Sequence, residues 1–351
     1  MNKVDFIIVG QGMAGTLLAH ELISANKKIL IIDKKLPASS SRVAAGMINP
    51  VAMKRCSPVN SAEYYLQNAF KVYRNLELKL KAKFLYSKPI LKLFANEDIQ
   101  NIWKVKYSNE DMDKYIASFS AKNEFPFLEN SYGGAIVEPS AHLDVSFFLE
   151  LSRKFFAELN VLSDEIFSFD SFDQMNCIYK DNLAEKIIFC EGHRLQSNPF
   201  FNYLPMTPTK GEIMKIKIPS LNFFNKMISK GIYVIPIGNF EYVVGATYNR
   251  EDLSDRVTKE GRTFLINKLN SILNVDYEVL SVSAGVRPNV KDRRPLVGVH
   301  PEFSKLFVFN GLGSRGVLVG PSLSQELTSC LISGLPIEDK IKGHNNISRF
   351  N

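Results

Sequence analysis

Cysteine and histidine are scarce in this chain of 351 residues, which has four cysteines and five histidines. The cysteines lie far apart and form no CxxC pair: Cys56, Cys177, Cys190 and Cys330. This spacing indicates neither a zinc site nor a disulfide framework, so we predict buried free thiols. The histidines, which include His142 and His193, show no metal-ligand spacing, and we predict no metal site.

Long apolar runs are also absent. No segment approaches the roughly 20 consecutive apolar residues that a membrane-spanning helix needs. The N-terminus, MNKVDFIIVG, leads into a strand and lacks the cleavage site of a signal peptide. We therefore expect a cytoplasmic protein with no membrane partner. Hydrophobic residues make up 45% of the chain, and at this length two compact units are expected rather than one.

The charge balance is basic, with a formal net charge of +7 and a pI near 9.0. Lysine and arginine are scattered along the sequence rather than clustered, which favours an ordinary solvated surface. Attraction to phosphates or to anionic substrates stays open as the alternative reading.

The first 34 residues predict a strand, a glycine turn, a helix and a second strand. The turn is Gly10-Gln11-Gly12-Met13-Ala14-Gly15. In such a turn the first glycine permits the tight bend, the second lets a pyrophosphate approach the backbone, and the third lets helix pack on strand. Met13 and Ala14 begin the helix, whose free N–H groups and dipole attract phosphate. The pattern predicts a dinucleotide site, with a plain glycine turn as the alternative.

An acidic residue, Asp33, ends the second strand, where a carboxylate should meet the ribose hydroxyls. Lys34 follows it and is assigned to the same site. Because a 2′-phosphate would meet the negative charge of Asp33, NADP is less suited to this site than FAD or NAD. The turn itself does not distinguish FAD from NAD.

The rest of the chain alternates between helix-like and strand-like segments. Residues 61–84 have the apolar spacing of a helix, and so have residues 142–159. Strand-like runs over residues 212–247 predict an antiparallel sheet separate from the nucleotide fold. A strand at LFVFNG and a helix that begins near Gly316 return the chain to the nucleotide unit, so the two domains are interleaved in sequence.

Three segments carry a family resemblance: SSSRVAAGMINP, GVRPNVKDRRPLVG and FNGLGSRGVLVGPSLSQELTSCLISG. Together they resemble the D-amino-acid oxidase and glycine oxidase family of FAD enzymes, which also contains sarcosine oxidases. The resemblance covers nearly the whole chain and is looser in the middle. It implies FAD as the cofactor and oxidation of a carbon–nitrogen bond next to a carboxylate, with release of an imine that water hydrolyses.

With this resemblance, the predicted fold class is α/β (α+β overall), with a Rossmann-like FAD-binding domain and a smaller antiparallel-sheet substrate domain. The predicted FAD-binding domain comprises residues 1–84, 140–211 and 281–351. The predicted substrate-binding domain comprises residues 85–139 and 212–280.

The resemblance also implies cofactor contacts along the chain. One group would line the pyrophosphate and the isoalloxazine ring: Arg42, Ala44, Ala45, Gly46 and Met47. None of these is Cys or His, so noncovalent FAD is expected. Ile166 resembles the position whose backbone meets the adenine, and Gly192, in the FCEGH segment, is assigned to the same site.

The C-terminal glycine turn completes the predicted cofactor site, which includes Gly311, Gly313, Ser314, Arg315, Gly316 and Val317. Its glycines permit close backbone approach, and the helix that starts there would direct its positive end at a ligand. If the ligand is the pyrimidine edge of the flavin, the dipole favours negative charge on the reduced ring. An ordinary strand-turn-helix packing motif is the alternative.

Two residues are the candidates for substrate binding. Arg287, in GVRP, resembles the family arginine that holds the substrate carboxylate, and its fork of donors matches two carboxylate oxygens. The alternative is a structural arginine paired with Asp292 or buried against Pro288. Tyr233 resembles a pocket tyrosine of the family that reaches the carboxylate or the amine, with a core strand aromatic as the alternative.

The expected reaction is hydride transfer from the substrate carbon to flavin N5, with the amine neutral. Glycine oxidases carry an arginine where this chain has Ser314, one residue before Arg315, which makes glycine a doubtful substrate. The cofactor performs the chemistry while the protein orients the substrate and excludes water.

Three alternatives remain. The GLGSRG turn also resembles the oxidase domain of the bifunctional enzyme that modifies the wobble uridine of tRNA, and a basic pI suits such a partner. That domain removes a carboxymethyl group by FAD-dependent oxidation, but GVRP and AAGMINP resemble the small-molecule oxidases more closely. A non-catalytic FAD-binding subunit and an NAD-dependent dehydrogenase are the other two.

Overall fold

The fold is that of a computed structural model, which describes residues 1–35, 39–109, 112–221, 224–334 and 345–350. The described residues form seven α-helices. These are α1 (Met13–Ser24), α2 (Ser40–Val43), α3 (Ala62–Leu80), α4 (Glu97–Asn109), α5 (Val145–Glu158), α6 (Lys259–Asn270) and α7 (Gly316–Ser333).

The strands lie between these helices. In chain order they are β1 (Asn2–Val9), β2 (Ile29–Ile32), β3 (Met47–Ile48), β4 (Val51–Ala52), β5 (Ser57–Pro58), β6 (Leu85–Ser87), β7 (Ile90–Leu93), β8 (Ile116–Ser120), β9 (Gly134–Val137), β10 (Ala141–Leu143), β11 (Leu162–Ser163), β12 (Phe172–Asp173), β13 (Ile178–Tyr179), β14 (Asn182–Phe189), β15 (Thr209–Lys217), β16 (Met227–Lys230), β17 (Ile232–Gly238), β18 (Glu241–Gly245), β19 (Glu278–Arg287), β20 (Leu296–Val299) and β21 (Leu306–Asn310).

The first sheet contains the predicted strand-helix-strand unit. Its order is β11-β2-β1-β14-β13-β12, and β21 also pairs with β14 and with β20. The pairs among β11, β2, β1, β14 and β21 are parallel. Continuous apolar runs suit such strands because helices cover both faces. The α/β fold class and the strand-helix-strand unit are confirmed.

Helices α1, α3 and α7 pack together over this sheet. The buried Tyr73 hydroxyl of α3 donates to the carbonyl of Val317 at 2.9 Å, which fixes the start of α7. Asn68 Nδ2, one turn earlier in α3, donates to Ser322 Oγ, one turn later in α7, at 3.1 Å. The N-terminal ends of α1 and α7, which both follow parallel strands, therefore lie in one packed layer.

The second sheet also has eight strands, in the order β19-β15-β18-β17-β16-β7-β9-β8. All of its pairs are antiparallel except the parallel pair β16–β7. Along β15, Met214 and Ile216 are buried while Lys215 and Lys217 are less so, the alternation of a sheet with one covered face. Helix α6 covers that face through Leu265 and Leu269.

Several predicted boundaries differ from the structure. The predicted domain limits at residues 211 and 281 fall inside β15 and β19, which belong to the second sheet throughout. The domain division itself stays a prediction. The predicted helix over residues 142–159 begins only at Val145, because Ala141–Leu143 pairs with β3 and β6. Asp144 caps it by accepting the N–H of Phe147 at 3.0 Å.

The four cysteines are buried and unbridged, as predicted. Among the helices of the described residues, none combines the length and the apolar character that a membrane span requires.

The contact between the glycine turn and α1 generates a stability prediction. A Cβ on Gly15 would stand 1.9 Å from the carbonyl oxygen of Gly10. We expect Gly15→Ala to lower the free energy of unfolding by at least about 3 kcal/mol, because the obstacle is backbone. Urea denaturation measures the change.

The control is Gly320→Ala in α7, where the new Cβ would meet no backbone but two leucine side-chain ends, Leu17 Cδ1 at 2.9 Å and Leu312 Cδ1 at 3.6 Å. Helix propensity favours alanine there by about 1 kcal/mol. Equal losses of stability in the two variants would contradict the backbone clash.

Candidate active site

A cavity of about 1030 Å³ opens between the two sheets, at the carboxyl ends of the parallel strands. Gly10 follows β1, Asp33 follows β2 and Glu191 follows β14, and all three line it. Helix α2 lies on the other side against β19, where a Cβ on Gly285 would stand 3.2 Å from Ser40 Cα. Ligands of open parallel sheets bind at this edge.

Most of the predicted site residues line this one cavity. They are Gly10, Gly12, Met13, Ala14, Asp33, Lys34, Arg42, Ala44, Ala45, Gly46, Met47, Ile166, Gly192, Tyr233, Arg287, Gly313, Ser314, Gly316 and Val317. Gly15, Gly311 and Arg315 do not line it. Gly15 and Gly311 are packing positions of the two turns, and Arg315 is exposed.

The first glycine turn forms an open backbone cradle. A side chain in place of its glycines would fill this cradle. Gly10 has φ +103°, and a Cβ there would stand 2.6 Å from the carbonyl oxygen of Cys190. A Cβ on Gly12 would stand 3.1 Å from Ser41 Oγ, on the cavity wall. The cradle and the N-terminus of α1 fit the pyrophosphate of a dinucleotide.

Asp33 is held by two partners from different parts of the chain. Its Oδ1 accepts the N–H of Gln11 at 2.9 Å, and its Oδ2 accepts from Arg153 Nη1 at 2.8 Å. The other nitrogen of that guanidinium donates to Asp164 Oδ1 at 2.7 Å. Each carboxylate oxygen has two lone pairs, so Asp33 keeps acceptors for a ribose. Sequence reasoning missed Arg153, which nothing local distinguishes from Lys154.

The segment that contains α2 carries a buried donor. Arg42 Nη1 donates to Glu150 Oε2 at 3.3 Å, while its Nη2 is buried without a hydrogen-bond partner among the described residues. Ser41 Oγ accepts the N–H of Met13 at 3.1 Å, which joins this segment to the start of α1. A buried guanidinium N–H on the cavity wall suits a phosphate or carbonyl oxygen of a ligand.

The C-terminal glycine turn forms the opposite wall. Gly311 and Gly313 have φ values of +68° and +57°, a conformation that favours glycine. A Cβ on Gly313 would stand 2.9 Å from Asn289 Oδ1, so the turn lies against the segment after β19. Helix α7 begins at Gly316 and directs its positive end into the cavity.

Arg287 ends β19 and lies flat against the neighbouring strand. A Cβ on Gly211 would stand 2.1 Å from Arg287 Nη2, so the guanidinium fills the space that glycine leaves. Its Nη1 donates to the carbonyl of Thr247 at 3.3 Å, and it has no acidic partner among the described residues. The alternative of a pair with Asp292 is wrong, because Asp292 Oδ2 accepts from Arg349 Nε at 2.7 Å.

Tyr233 lies on β17 and reaches the same part of the cavity. A Cβ on Gly245 would stand 2.5 Å from its hydroxyl oxygen, so a second glycine makes room for the ring. Burial raises the pKa of Tyr233 to about 12, and the charge of Arg287 opposes that rise. The hydroxyl makes no hydrogen bond to a residue in the described ranges.

The wall that holds Thr247 is anchored by a buried ionic network. Lys210, 1% exposed, pairs with Asp252 beyond that wall. Glu212 donates its N–H to Thr247 Oγ1 at 2.8 Å, and its carboxylate accepts the hydroxyl of Thr258 at 2.7 Å. The carbonyl that accepts from Arg287 is therefore fixed by contacts outside the cavity.

Glu191 is a second cavity residue that sequence reasoning missed. It is the second residue after β14, and its Oε2 accepts from Asn198 Nδ2 at 2.6 Å. Burial raises the pKa of Glu191 to about 7, against the lowering effects of Asn198 and Arg194. An acidic residue two positions after an apolar parallel strand was the available signal, since such positions meet the ligand edge of the sheet.

The fold and the cavity together define a dinucleotide-dependent oxidoreductase, with one glycine turn for phosphates and a second turn and helix end opposite it. Residues 5–329 match the family described as "DAO: FAD dependent oxidoreductase", and the chain belongs to this family. It is an enzyme with FAD as its cofactor. The predicted family and cofactor are confirmed, and the alternatives of an NAD-dependent dehydrogenase and a non-catalytic subunit are set aside.

Two of the named relatives match nearly the whole chain. The chain is 23% identical to the glycine oxidase of Bacillus subtilis (strain 168), over 96% of this chain and 94% of that protein. It is 25% identical to the tRNA 5-methylaminomethyl-2-thiouridine biosynthesis bifunctional protein MnmC of Acinetobacter baylyi, over 99% of this chain. The chain spans 56% of the length of that bifunctional protein.

A solved structure shows the same fold. The glycine oxidase from Geobacillus kaustophilus matches 100% of this chain and 98% of its own, with a TM-score of 0.82 and 21% sequence identity.

The buried carboxyl of Glu191 generates a prediction on pH dependence. Its pKa is raised from 4.5 to about 7, so folding takes up a proton in that window. The free energy of unfolding therefore falls as the pH rises from 4.5 to about 7 and levels off above. We expect Glu191→Gln to remove this loss, which is about 3 kcal/mol at most.

Urea denaturation across this pH range measures the effect, and glutamine keeps an acceptor for Asn198. The control is Glu185→Gln, an exposed position on β14. If both variants followed the pH profile of the unsubstituted protein, Glu191 would not be the group that titrates.

Proposed function

We propose that this enzyme oxidises the carbon–nitrogen bond of an amino acid or secondary amine that carries a carboxylate. The observation that supports this most is the unpaired guanidinium of Arg287 on the wall of the cavity that fits FAD. A cation held without an acid in a cavity calls for an anionic ligand.

The position of Arg287 suits a carboxylate in particular. One face of the guanidinium is covered by Gly211 and Nη1 donates to Thr247, which together fix its plane. The remaining N–H groups can point into the cavity as a fork, the geometry that carboxylate oxygens match in pairs. Arg287 therefore binds and orients the substrate, and the carbon next to the carboxylate is placed relative to it.

Tyr233 adds a neutral hydroxyl beside that charge. With a pKa of about 12 it keeps its proton at physiological pH. It donates to a carboxylate oxygen of the substrate or accepts from its amine, and it adds no charge to the site.

The residues that would hold FAD are those of the two turns and of the segment around Arg42. Bound there, FAD would supply the acceptor, flavin N5, for the hydride that leaves the substrate carbon as the carbon–nitrogen bond is oxidised to an imine. The N-terminal end of α7 favours negative charge near the C-terminal turn. The residues of the chain position the substrate and stabilise negative charge in the site.

The relatives support an amine substrate without fixing which one. Two of them are named glycine oxidases. In this chain Ser314 lines the cavity and Arg315 does not, which supports a substrate other than glycine. A cytoplasmic location is part of the proposal.

A second candidate function is oxidation of carboxymethylaminomethyl-uridine in tRNA. The similarity to the bifunctional tRNA protein over 99% of this chain favours it, and the group to be oxidised is also a secondary amine with a carboxylate. Arg287 would then hold the carboxylate of a nucleoside side chain.

Anaerobic bleaching of the bound flavin separates the two candidates. The panel contains D-amino acids, glycine, sarcosine, proline and tRNA that carries carboxymethylaminomethyl-uridine. We expect a small amine to bleach the flavin at millimolar concentration or below. Bleaching by tRNA alone would replace the first candidate by the second, and a protein that binds no FAD would refute both.

The role of Arg287 is tested by Arg287→Gln. We expect the variant to keep its flavin and to lose at least about 100-fold in kcat/KM, near 3 kcal/mol, because a charged fork is replaced by one amide. Arg287→Lys keeps the charge and should recover only part of the loss. Stopped-flow reduction of the flavin measures both.

Arg262→Gln, at an exposed position of α6, is the matched control and should behave as the unsubstituted enzyme. Unchanged reduction kinetics in Arg287→Gln would show that Arg287 does not bind the carboxylate.

A further inference from the structure

The segment between β18 and α6 leaves the second sheet beside the cavity and returns to it. We call its outer part, residues 250–257, the flap. No residue of the flap is buried, and none belongs to a hydrophobic core of the described residues. Leu253, Ser254 and Asp255 nevertheless line the cavity. The flap is therefore a piece of cavity wall that no apolar packing holds in place.

Both ends of the flap are fixed to strand β15. At the first end, Lys210 donates its N–H to the carbonyl of Asn249 at 2.8 Å, and Asn249 donates its own to the carbonyl of Lys210 at 3.0 Å. At the second end, the carboxylate of Glu212 accepts the N–H of Thr258 at 3.1 Å and its hydroxyl at 2.7 Å. These two pairs are the fixed points about which the flap would turn.

Between these ends, the ammonium group of Lys210 holds the flap. Its Nζ pairs with Asp252 and donates to Ser254 Oγ at 3.3 Å. The other hydrogen bonds of the flap in the part of the chain that the structure describes stay within it or reach Tyr248 and Asn249, which directly precede it. One side chain therefore keeps the flap against the rest of the fold.

Lys210 has a second acid within reach, which lowers the cost of releasing the flap. Its side chain is 1% exposed, and its Nζ lies 3.9 Å from Glu212 Oε1 on the same strand. The side chain of Asp252 is 36% exposed. If the Lys210–Asp252 contact breaks, Glu212 stays beside the ammonium group and water solvates Asp252. Breaking a buried pair is costly when it leaves a charge uncompensated, and here it leaves none.

The flap continues directly from the wall that holds Arg287. The carbonyl of Thr247, three residues before the flap, accepts from Arg287 Nη1 at 3.3 Å. Tyr248 comes next and also lines the cavity, and its hydroxyl accepts from Arg250 Nη2, at the start of the flap, at 3.3 Å. Displacement of the flap would therefore open the cavity on the side of the proposed carboxylate site.

We propose that the flap opens to admit the substrate and closes over it, and that the Lys210–Asp252 contact is the latch that holds it closed. Segments without buried apolar contacts open at the least cost, and such segments commonly gate active sites. Lys210 and Asp252 do not line the cavity, so the latch controls access without touching the ligand. This inference rests on the proposed function, because Arg287 is taken as the site that the entering carboxylate reaches.

Limited proteolysis of the FAD-loaded enzyme with trypsin tests the latch without a ligand. Cleavage after Arg256, inside the flap, requires the flap to detach, because its rate follows the population of the open form. We expect Asp252→Asn to raise this rate at least about tenfold, and Asp252→Glu, which keeps a carboxylate, to recover most of the difference. Glu251→Gln removes the exposed neighbouring acid and is the control, with a change of less than about twofold.

Stopped-flow binding of glycolate, followed by the absorbance of the flavin, tests access to the cavity. Glycolate has a carboxylate but no carbon–nitrogen bond to oxidise. We expect Asp252→Asn to raise the association and the dissociation rate constants at least about fivefold each, because an open flap lets the ligand pass in both directions. A substitution that only damaged the site would speed dissociation and slow association. Flavin content and thermal midpoint establish that each variant is folded.

The outcomes separate this inference from the proposed function. Both expected changes in rate, in an enzyme that no amine reduces, would support the flap and contradict the proposed function. Reduction by amines, with Asp252→Asn equal to Glu251→Gln in both experiments, would contradict the flap alone. Faster release of FAD with unchanged glycolate rates would overturn the proposal, because the segment would then cover the cofactor. A cavity that binds no glycolate would contradict the role of Arg287, and the trypsin rates would then decide the latch.

Discussion

The close approach of backbone atoms at Gly10, Gly15 and Cys190 determines where helix α1 and the end of β14 lie relative to the cavity. A side chain at Gly15 would meet the carbonyl of Gly10 at 1.9 Å, and one at Gly10 would meet that of Cys190 at 2.6 Å. Helix α1 therefore starts directly on the strand edge, and its free N–H groups face the cavity. The same approach brings the end of β14 against this turn, and burial raises the pKa of Glu191, which follows Cys190.

A second layer of contacts keeps the cavity walls in place. Arg153 holds Asp33, and the Lys210–Asp252 pair anchors the wall that presents Thr247 to Arg287. Such buried pairs contribute little net stability, because desolvation offsets much of their attraction. Their effect is geometric: a guanidinium or carboxylate on the cavity wall keeps one orientation only when its supports are fixed.

The parts of this site that sequence reasoning predicted are those with a local signature. The glycines of both turns, Asp33 after β2 and Arg287 in GVRP stand in short patterns whose meaning depends on a few neighbours. Arg153 lies 120 residues from its partner Asp33, and no local pattern records that pairing. The short strands β6 to β10 were not predicted for the same reason, because their pairing partners lie elsewhere in the sequence. Residues 142 and 143, which were predicted as the start of a helix, belong to strand β10.

The arginines show how the fold assigns one residue type to opposite roles. Arg153 lies between Asp33 and Asp164, so its charge is neutralised and it serves the scaffold. Among the described residues, Arg287 lies against Gly211 and donates to the carbonyl of Thr247 but meets no acid, which is why we propose a ligand for its charge. The basic residues are scattered along the sequence, but in the fold some of them lie beside acids and others do not. The net charge of +7 therefore does not describe the surface as a whole, since the effect of each basic residue depends on the acids near it.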